Sequence, residues 1–189
     1  RRLDAGPLHA SAQLDIHPGE GRADLRARLG ELAGALAASA LPAILEGRSI
    51  PVPQDETRVS FTRRLNRQDA ALDFRAAASV LAARVQALEG WPGSTFDHAG
   101  VTIKVGAAAA TDDAPTASPG TIVAADRAGV RVACGQGCLL LTRLQRPGGK
   151  MLPAAEFLAG YPLAVGEILP SPAMPALVSP TPFPRAPKA

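Results

Sequence analysis

The sequence predicts an α/β fragment followed by a small, mainly β domain with flanking helices. Three observations carry this. A β-like stretch at residues 8–16 leads into leucines 25, 29, 32 and 36, spaced i, i+4, i+7 and i+11 on one helical face. Residues 48–72 hold prolines and mixed charge with no sustained period. After residue 100, short apolar runs follow one another at close spacing, punctuated by glycine turns, as in a small barrel or sandwich.

Taken in order, residues 8–16 read as a strand ended by "HPGEG". The helical pattern that follows runs through Ile44 and stops at Gly47, with Pro42 expected to kink or interrupt it. One strand and one long helix make the last unit of an α/β domain, residues 1–47. Residues 48–72 read as an extended linker. Asp73 reads as the N-cap of a second helix whose apolar face is Ala77, Leu81, Val85 and Leu88, ended by "GWPG". "GVTIKVG" alternates as a strand, with Val101, Ile103 and Val105 on one face and Thr102 and Lys104 on the other. "TDDAPTASPG" is a loop. "TIVAA", "GVRVAC" and "CLLLTRLQ" are short strands, the last two joined by a "GQG" hairpin. "PAAEFLAG" is a short helix with Pro153 in its first turn. Residues 73–169 thus form the β domain, and the Pro-rich stretch 170–189 is expected to be disordered.

Composition narrows the function classes. The 189 residues are 47% hydrophobic and 20% charged, ordinary globular material. No single apolar run approaches the ~18 residues needed to cross a bilayer, so no membrane partner is expected. The amino-terminal residues lack a basic-then-apolar export pattern. Two cysteines are too few for a disulfide scaffold, which points to a reducing, cytoplasmic setting.

Net charge is only +3, but its distribution is uneven. Residues 57–68 carry Arg58, Arg63, Arg64 and Arg67 with no acid, and residues 127–155 carry Arg127, Arg131, Arg143, Arg146 and Lys150, again with no acid. Such tracts fit either a polyanion-facing surface or a solvated basic face. Other features are weaker. Cys134 and Cys138 lack the second pair that a zinc site needs, so strand packing is the expected role. The histidines His9, His17 and His98 are scattered and take no assigned role. Trp91 reads first as a core anchor and second as a base-stacking platform. Lys104 faces either RNA or water.

"LDAG" at residues 3–6, "PVPQDETRVSFTRRL", "EGWPGS", "SPGTI" with "GQG", "RLQRPGGK" and "AAEFLAG" occur here in one order. Together they resemble the carboxy-terminal part of the bacterial methionyl-tRNA formyltransferase family. The resemblance implies that residues 1–47 are the last strand and helix of a Rossmann-like formyltransferase domain. It implies that residues 73–169 are an OB-like, tRNA-binding barrel. It also implies a formyl donor, 10-formyltetrahydrofolate, and no metal; a partner, initiator methionyl-tRNA; and a monomer. Asp4 matches the Asp of the family's L-D-x-G element, the third member of a catalytic set whose Asn and His belong to a preceding part of the domain. Leu3 and Asp4 are then the folate-side residues. Arg63, Arg64, Arg67, Lys104, Arg143, Arg146 and Lys150 are the candidate tRNA contacts.

Two departures stand out. The usual A-P-K-L of the linker reads Thr62-Arg63-Arg64-Leu65, keeping a cation and losing the proline. The acids that often precede L-D-x-G are replaced by Arg1 and Arg2. With only one catalytic member present, this polypeptide is expected to be inactive alone. An amino-sugar-nucleotide formyltransferase shares L-D-x-G and W-P-G and is the alternative enzyme. A non-catalytic RNA-binding module is the alternative class.

The chemistry explains why the family wants a carboxylate at this position. Formyl transfer passes through a tetrahedral intermediate, and the attacking amine must lose a proton. A carboxylate beside an imidazole holds it protonated and orders water for that transfer.

Overall fold

A computed structural model of the chain describes residues 4–114 and 117–184. In chain order the elements are α1 (Arg22–Leu45), β1 (Phe61–Thr62), α2 (Ala78–Ala87), β2 (Ser94–His98), β3 (Val101–Thr111), β4 (Ile122–Ala125), β5 (Val130–Ala133), β6 (Cys138–Gln145), β7 (Leu152–Pro153), α3 (Ala154–Gly160) and β8 (Val178–Ser179). Two short 3₁₀ turns, Glu56–Arg58 and Arg67–Ala70, interrupt the linker. The described residues fall into two compact units, 4–63 with 177–184, and 64–176.

In the first unit, the strand expected at residues 8–16 does not form. Only Leu8 pairs, with Val52, through two 2.8 Å backbone bonds. A strand needs a neighbour to satisfy its amides and carbonyls, and among the described residues none lies beside residues 9–16. Ile16 is accordingly exposed.

The helix does form, and it runs through Pro42 without a break. The proline sits in the last turn, where the carbonyl that loses its donor belongs to exposed Ala38. Gly47, at φ 71°, closes the helix: its N–H bonds the Ile44 carbonyl and the Arg48 N–H returns to Ala43 at 2.9 Å. No residue of α1 is buried, and Leu29, assigned to the apolar face, is 48% exposed. Its 24 residues are long and apolar enough to cross a membrane by length and composition. No single apolar run reveals this in the sequence, because scattered charges break the run while alanine and leucine keep the mean hydropathy high.

Also in this unit, β1 and β8 pair antiparallel, Phe61 opposite Ser179 and Thr62 opposite Val178. β8 lies within the Pro-rich stretch.

The second unit is built on one antiparallel sheet in the order β2-β3-β6-β5-β4, with β7 extending the β5 side of β6. The sheet is a curled half-barrel, and among the described residues its two outer strands, β2 and β4, do not pair with each other. The free side of β4 is instead taken by residues 166–169: Ile122 N–H donates to Glu167 O, and Leu169 N–H to Gly120 O, each at 2.8 Å. Phe74, Leu81, Ile103, Ile122, Val130, Val132, Leu139, Leu141 and Leu144 fill the concave side and are fully or almost fully buried. α2 covers them with Leu81, Ala82 and Val85.

Strands β4, β5 and β6 and helix α3 lie where the sequence puts them. β2 was not foreseen, because "STFDH" is short and half polar. β3 extends six residues past Val105, because Ala107–Thr111 has no side-chain alternation to read. It pairs there with β6 through two register shifts around Gly106 and Thr142.

Asp73 is not the N-cap of α2. It folds onto Arg75, accepting from the Arg75 backbone N–H at 3.1 Å and from its guanidinium at 2.7 and 2.8 Å. That contact holds the Asp73 carboxyl below its usual range. The amino end of α2 is satisfied from the β5–β6 hairpin instead, where the Gln136 carbonyl accepts from Ala78 N–H at 2.8 Å. The hairpin can reach because Gly135 has no side chain: a Cβ there would stand 2.0 Å from the Arg75 carbonyl oxygen.

Candidate nucleic-acid interface

Of the two residues expected on the folate side, Leu3 lies outside the described residues. Asp4 is exposed at φ 54°, a conformation Asp tolerates better than most residues. Gln54 pins this segment, donating to the carbonyls of Asp4 at 3.1 Å and Gly6 at 2.7 Å. The nearby His9 bonds Ser49 Oγ at 2.9 Å.

The basic candidates divide between the units. Arg63 belongs to the first unit, where its guanidinium stands 5.7 Å from the centre of the Phe183 ring. Arg64, Arg67, Lys104, Arg143, Arg146 and Lys150 belong to the second and are all exposed. Their backbone is tied together across strands. Ala71 bridges Thr95 of β2, Thr95 pairs with Lys104 of β3, and Lys104 pairs with Gln145 of β6. Lys104 projects on the face opposite the buried Ile103 and Val105, and Arg143 lies two residues from Gln145 on the same strand. Arg67 begins the 3₁₀ turn that leads into Ala71. A capping box fixes that turn: Asn66 N–H donates to the buried Asp69 carboxylate at 2.7 Å, and Gln68 N–H to Asn66 Oδ1 at 2.9 Å.

Arg146 and Lys150 flank the tight turn between β6 and β7. With Val101, Pro147, Gly148, Gly149 and Tyr161, Arg146 lines a cleft of about 500 Å³. The loop is held by Gln145 donating to Gly149 O at 2.6 Å and by Gly149 N–H donating to Arg146 O at 3.0 Å. Arg146 itself donates to Gly160 O at 3.3 Å and lies 5.9 Å from the Tyr161 ring centre. Behind the cleft is a cluster that sequence reasoning missed. His98 Nδ1 meets Tyr161 Oη at 2.9 Å, and His98 Nε2 meets Glu167 at 2.9 Å. The hydrogen bond from His98 holds the Glu167 carboxyl below its usual range. Nothing local to His98 signals partners 63 and 69 residues away.

Two expectations change here and one holds. Arg131, counted in an acid-free tract, pairs with Asp113 at 3.4 Å, so that tract is acid-free along the chain and not in space. Trp91 does not anchor the core: it is 50% exposed, and Leu88, Phe96 and Phe74 fill the junction instead. The cysteines do pack between strands, both buried, and burial pushes the Cys134 thiol up to about 11. A thiol so hard to ionise is inert as a ligand or nucleophile near neutral pH.

Comparison with known proteins fixes the family. Residues 64–162 match the family described as formyl transferase, C-terminal domain, over more than half the chain. The chain belongs to this family. Two relatives are methionyl-tRNA formyltransferases of Burkholderia thailandensis and Burkholderia vietnamiensis. Each is 42% identical over 166 residues, covering 87% of this chain and 51% of the relative. The chain therefore spans about half the length of these curated relatives. The fold is shared with two variants of HypX from Aquifex aeolicus. One has a TM-score of 0.60 at 19% identity, covering 100% of this chain and 31% of HypX. The other has a TM-score of 0.56 at 20% identity, covering 83% and 29%. At that identity the likeness concerns architecture alone. The formyl transferase domain assignment falls on the unit that carries Arg64, Arg67, Lys104, Arg143, Arg146 and Lys150.

Proposed function

We propose that this chain is the carboxy-terminal part of a methionyl-tRNA formyltransferase, which transfers the formyl group of 10-formyltetrahydrofolate to the amino group of methionyl initiator tRNA. The observation that carries the reading is the 42% identity to methionyl-tRNA formyltransferases, which extends over 87% of the chain. In this reading residues 1–47 end the catalytic domain, residues 48–72 link, and residues 73–169 hold tRNA. Asp4 keeps a catalytic imidazole charged, with Leu3 beside the folate. The Asn and His that complete the set come from the other half of the enzyme, since the only asparagine here, Asn66, caps a turn. The protein works in the cytoplasm as a monomer.

Arg63 of the first unit and the exposed cations of the second bind the RNA backbone. Each phosphate neutralised releases condensed counterion, so affinity falls as salt rises. With about three or four contacts, log K against log salt slopes at about −2 to −4. Fluorescence titration of this chain with tRNA across a salt series is the test. A salt-independent affinity, or none at low salt, refutes the reading.

A further inference from the structure

The linker strand β1 has a partner from the far end of the chain. Val178 and Ser179 pair with Thr62 and Phe61. Pro180 ends the pairing there, because a proline offers no N–H to a ladder. The next residues turn back: Thr181 N–H donates to Ser179 Oγ at 3.1 Å, and the two hydroxyls meet at 3.2 Å. That turn returns Phe183 to the linker, where its ring lies 5.7 Å from the Arg63 guanidinium. Pro180, Pro182 and Pro184 narrow the backbone choices of this segment, so ordering it costs little entropy.

We propose that residues 177–184 are a strap that pairs with β1 and covers Arg63 with the Phe183 ring, so that RNA must displace the strap before it engages Arg63. The inference rests on the reading of Arg63 as an RNA contact. A two-residue ladder is marginal on its own, so the strap is built to exchange with a stronger ligand. A phosphate is such a ligand, since a charge-assisted bond to arginine outweighs an exposed contact with an aromatic face. The strap acts as a threshold, lowering affinity for weakly bound RNA without blocking tight binding.

Two single substitutions in the whole chain test this without altering charge. Val178→Pro puts a residue that fits a ladder poorly opposite Thr62, and Phe183→Ala removes the ring. Val178→Pro should speed amide exchange at residues 61–62. Both variants should bind tRNA about two- to fivefold more tightly, the worth of one exposed cation–π contact. Both should leave the salt slope unchanged, because the same arginine–phosphate contact forms once the strap has left. The gain should vanish when Arg63→Gln is added. Unchanged exchange in Val178→Pro shows that there is no strap. Faster exchange with unchanged tRNA affinity shows that the strap does not compete with RNA. If Arg63→Gln leaves the tighter binding of Val178→Pro intact, Arg63 is not an RNA contact and the inference falls. Failure of the wider reading looks different: the unsubstituted chain then binds no tRNA at all.

Discussion

Asp69 has no exposed surface, and its carboxylate closes the capping box that shapes the approach to the core strands. Its backbone carbonyl accepts from Arg84 of α2 at 2.9 Å, so the same residue ties the turn to the helix. Replacing it by alanine leaves the Asn66 amide without its acceptor in a part-buried place. Asp69→Ala should cost about 2–3 kcal/mol. Urea unfolding of the two proteins reads this directly, and a loss under about 0.5 kcal/mol would contradict the role. Asp4 is the opposite case: exposed and, among the described residues, held through its carbonyl by Gln54. In the full-length enzyme Asp4→Asn should keep stability and tRNA affinity while lowering kcat by about 10² to 10⁴-fold, the usual worth of a group assisting proton transfer. A change below about threefold would leave Asp4 as a turn residue.

At the scale of elements, the β5–β6 hairpin does more than join two strands. It supplies the carbonyl that caps α2, and it fits beneath residues 74–77 only because Gly135 lacks a side chain. Gly135→Ala places a methyl against the Arg75 backbone and should destabilise the unit by about 1–3 kcal/mol, measurable by thermal unfolding. The segment 160–169 fastens a different place. Glu167 and Tyr161 both reach His98 at the β2–β3 turn, and the Glu167 carbonyl meets β4. The folded state lowers the Glu167 pKa. Its stabilisation is therefore present above the ordinary carboxylate value, about 4.3, and is lost as pH falls through the lower folded value. The Tm gap between the parent and Glu167→Gln should be open near pH 6 and narrow as pH falls below the ordinary carboxylate value. A gap that widens on acidification would have the sign wrong. The carboxylate is partly exposed, so the gap is small.

For the whole molecule, the arrangement of charge predicts what kind of selectivity this chain has. Lys104 and Arg143 lie on strands, Lys150 flanks one turn and Arg146 lines the cleft beside it, all exposed and able to meet a phosphate backbone. Phosphate contacts position an RNA without reading its sequence. Initiator and elongator tRNAs should therefore bind this chain within about twofold of each other, as competition titration would show. A tenfold preference for initiator tRNA would place recognition in this chain.

The sequence by itself determined the local grammar of the protein: the helix from its leucine spacing, the strands β4 to β6 from their apolar runs, the hairpin from "GQG", and the family from motifs in order. These are contiguous signals, legible because each depends on neighbours a few residues apart. The tertiary structure decided what depends on partners far along the chain. Residues 8–16 look like a strand but lack a neighbour to pair with. Asp73 looks like a cap, yet a hairpin carbonyl 58 residues from Ala78 takes that role. Arg131 looks free until Asp113 is brought beside it, and His98 looks idle until Tyr161 and Glu167 arrive. A backbone group or a charge accepts whichever partner the fold delivers, and that choice is settled only when distant segments meet.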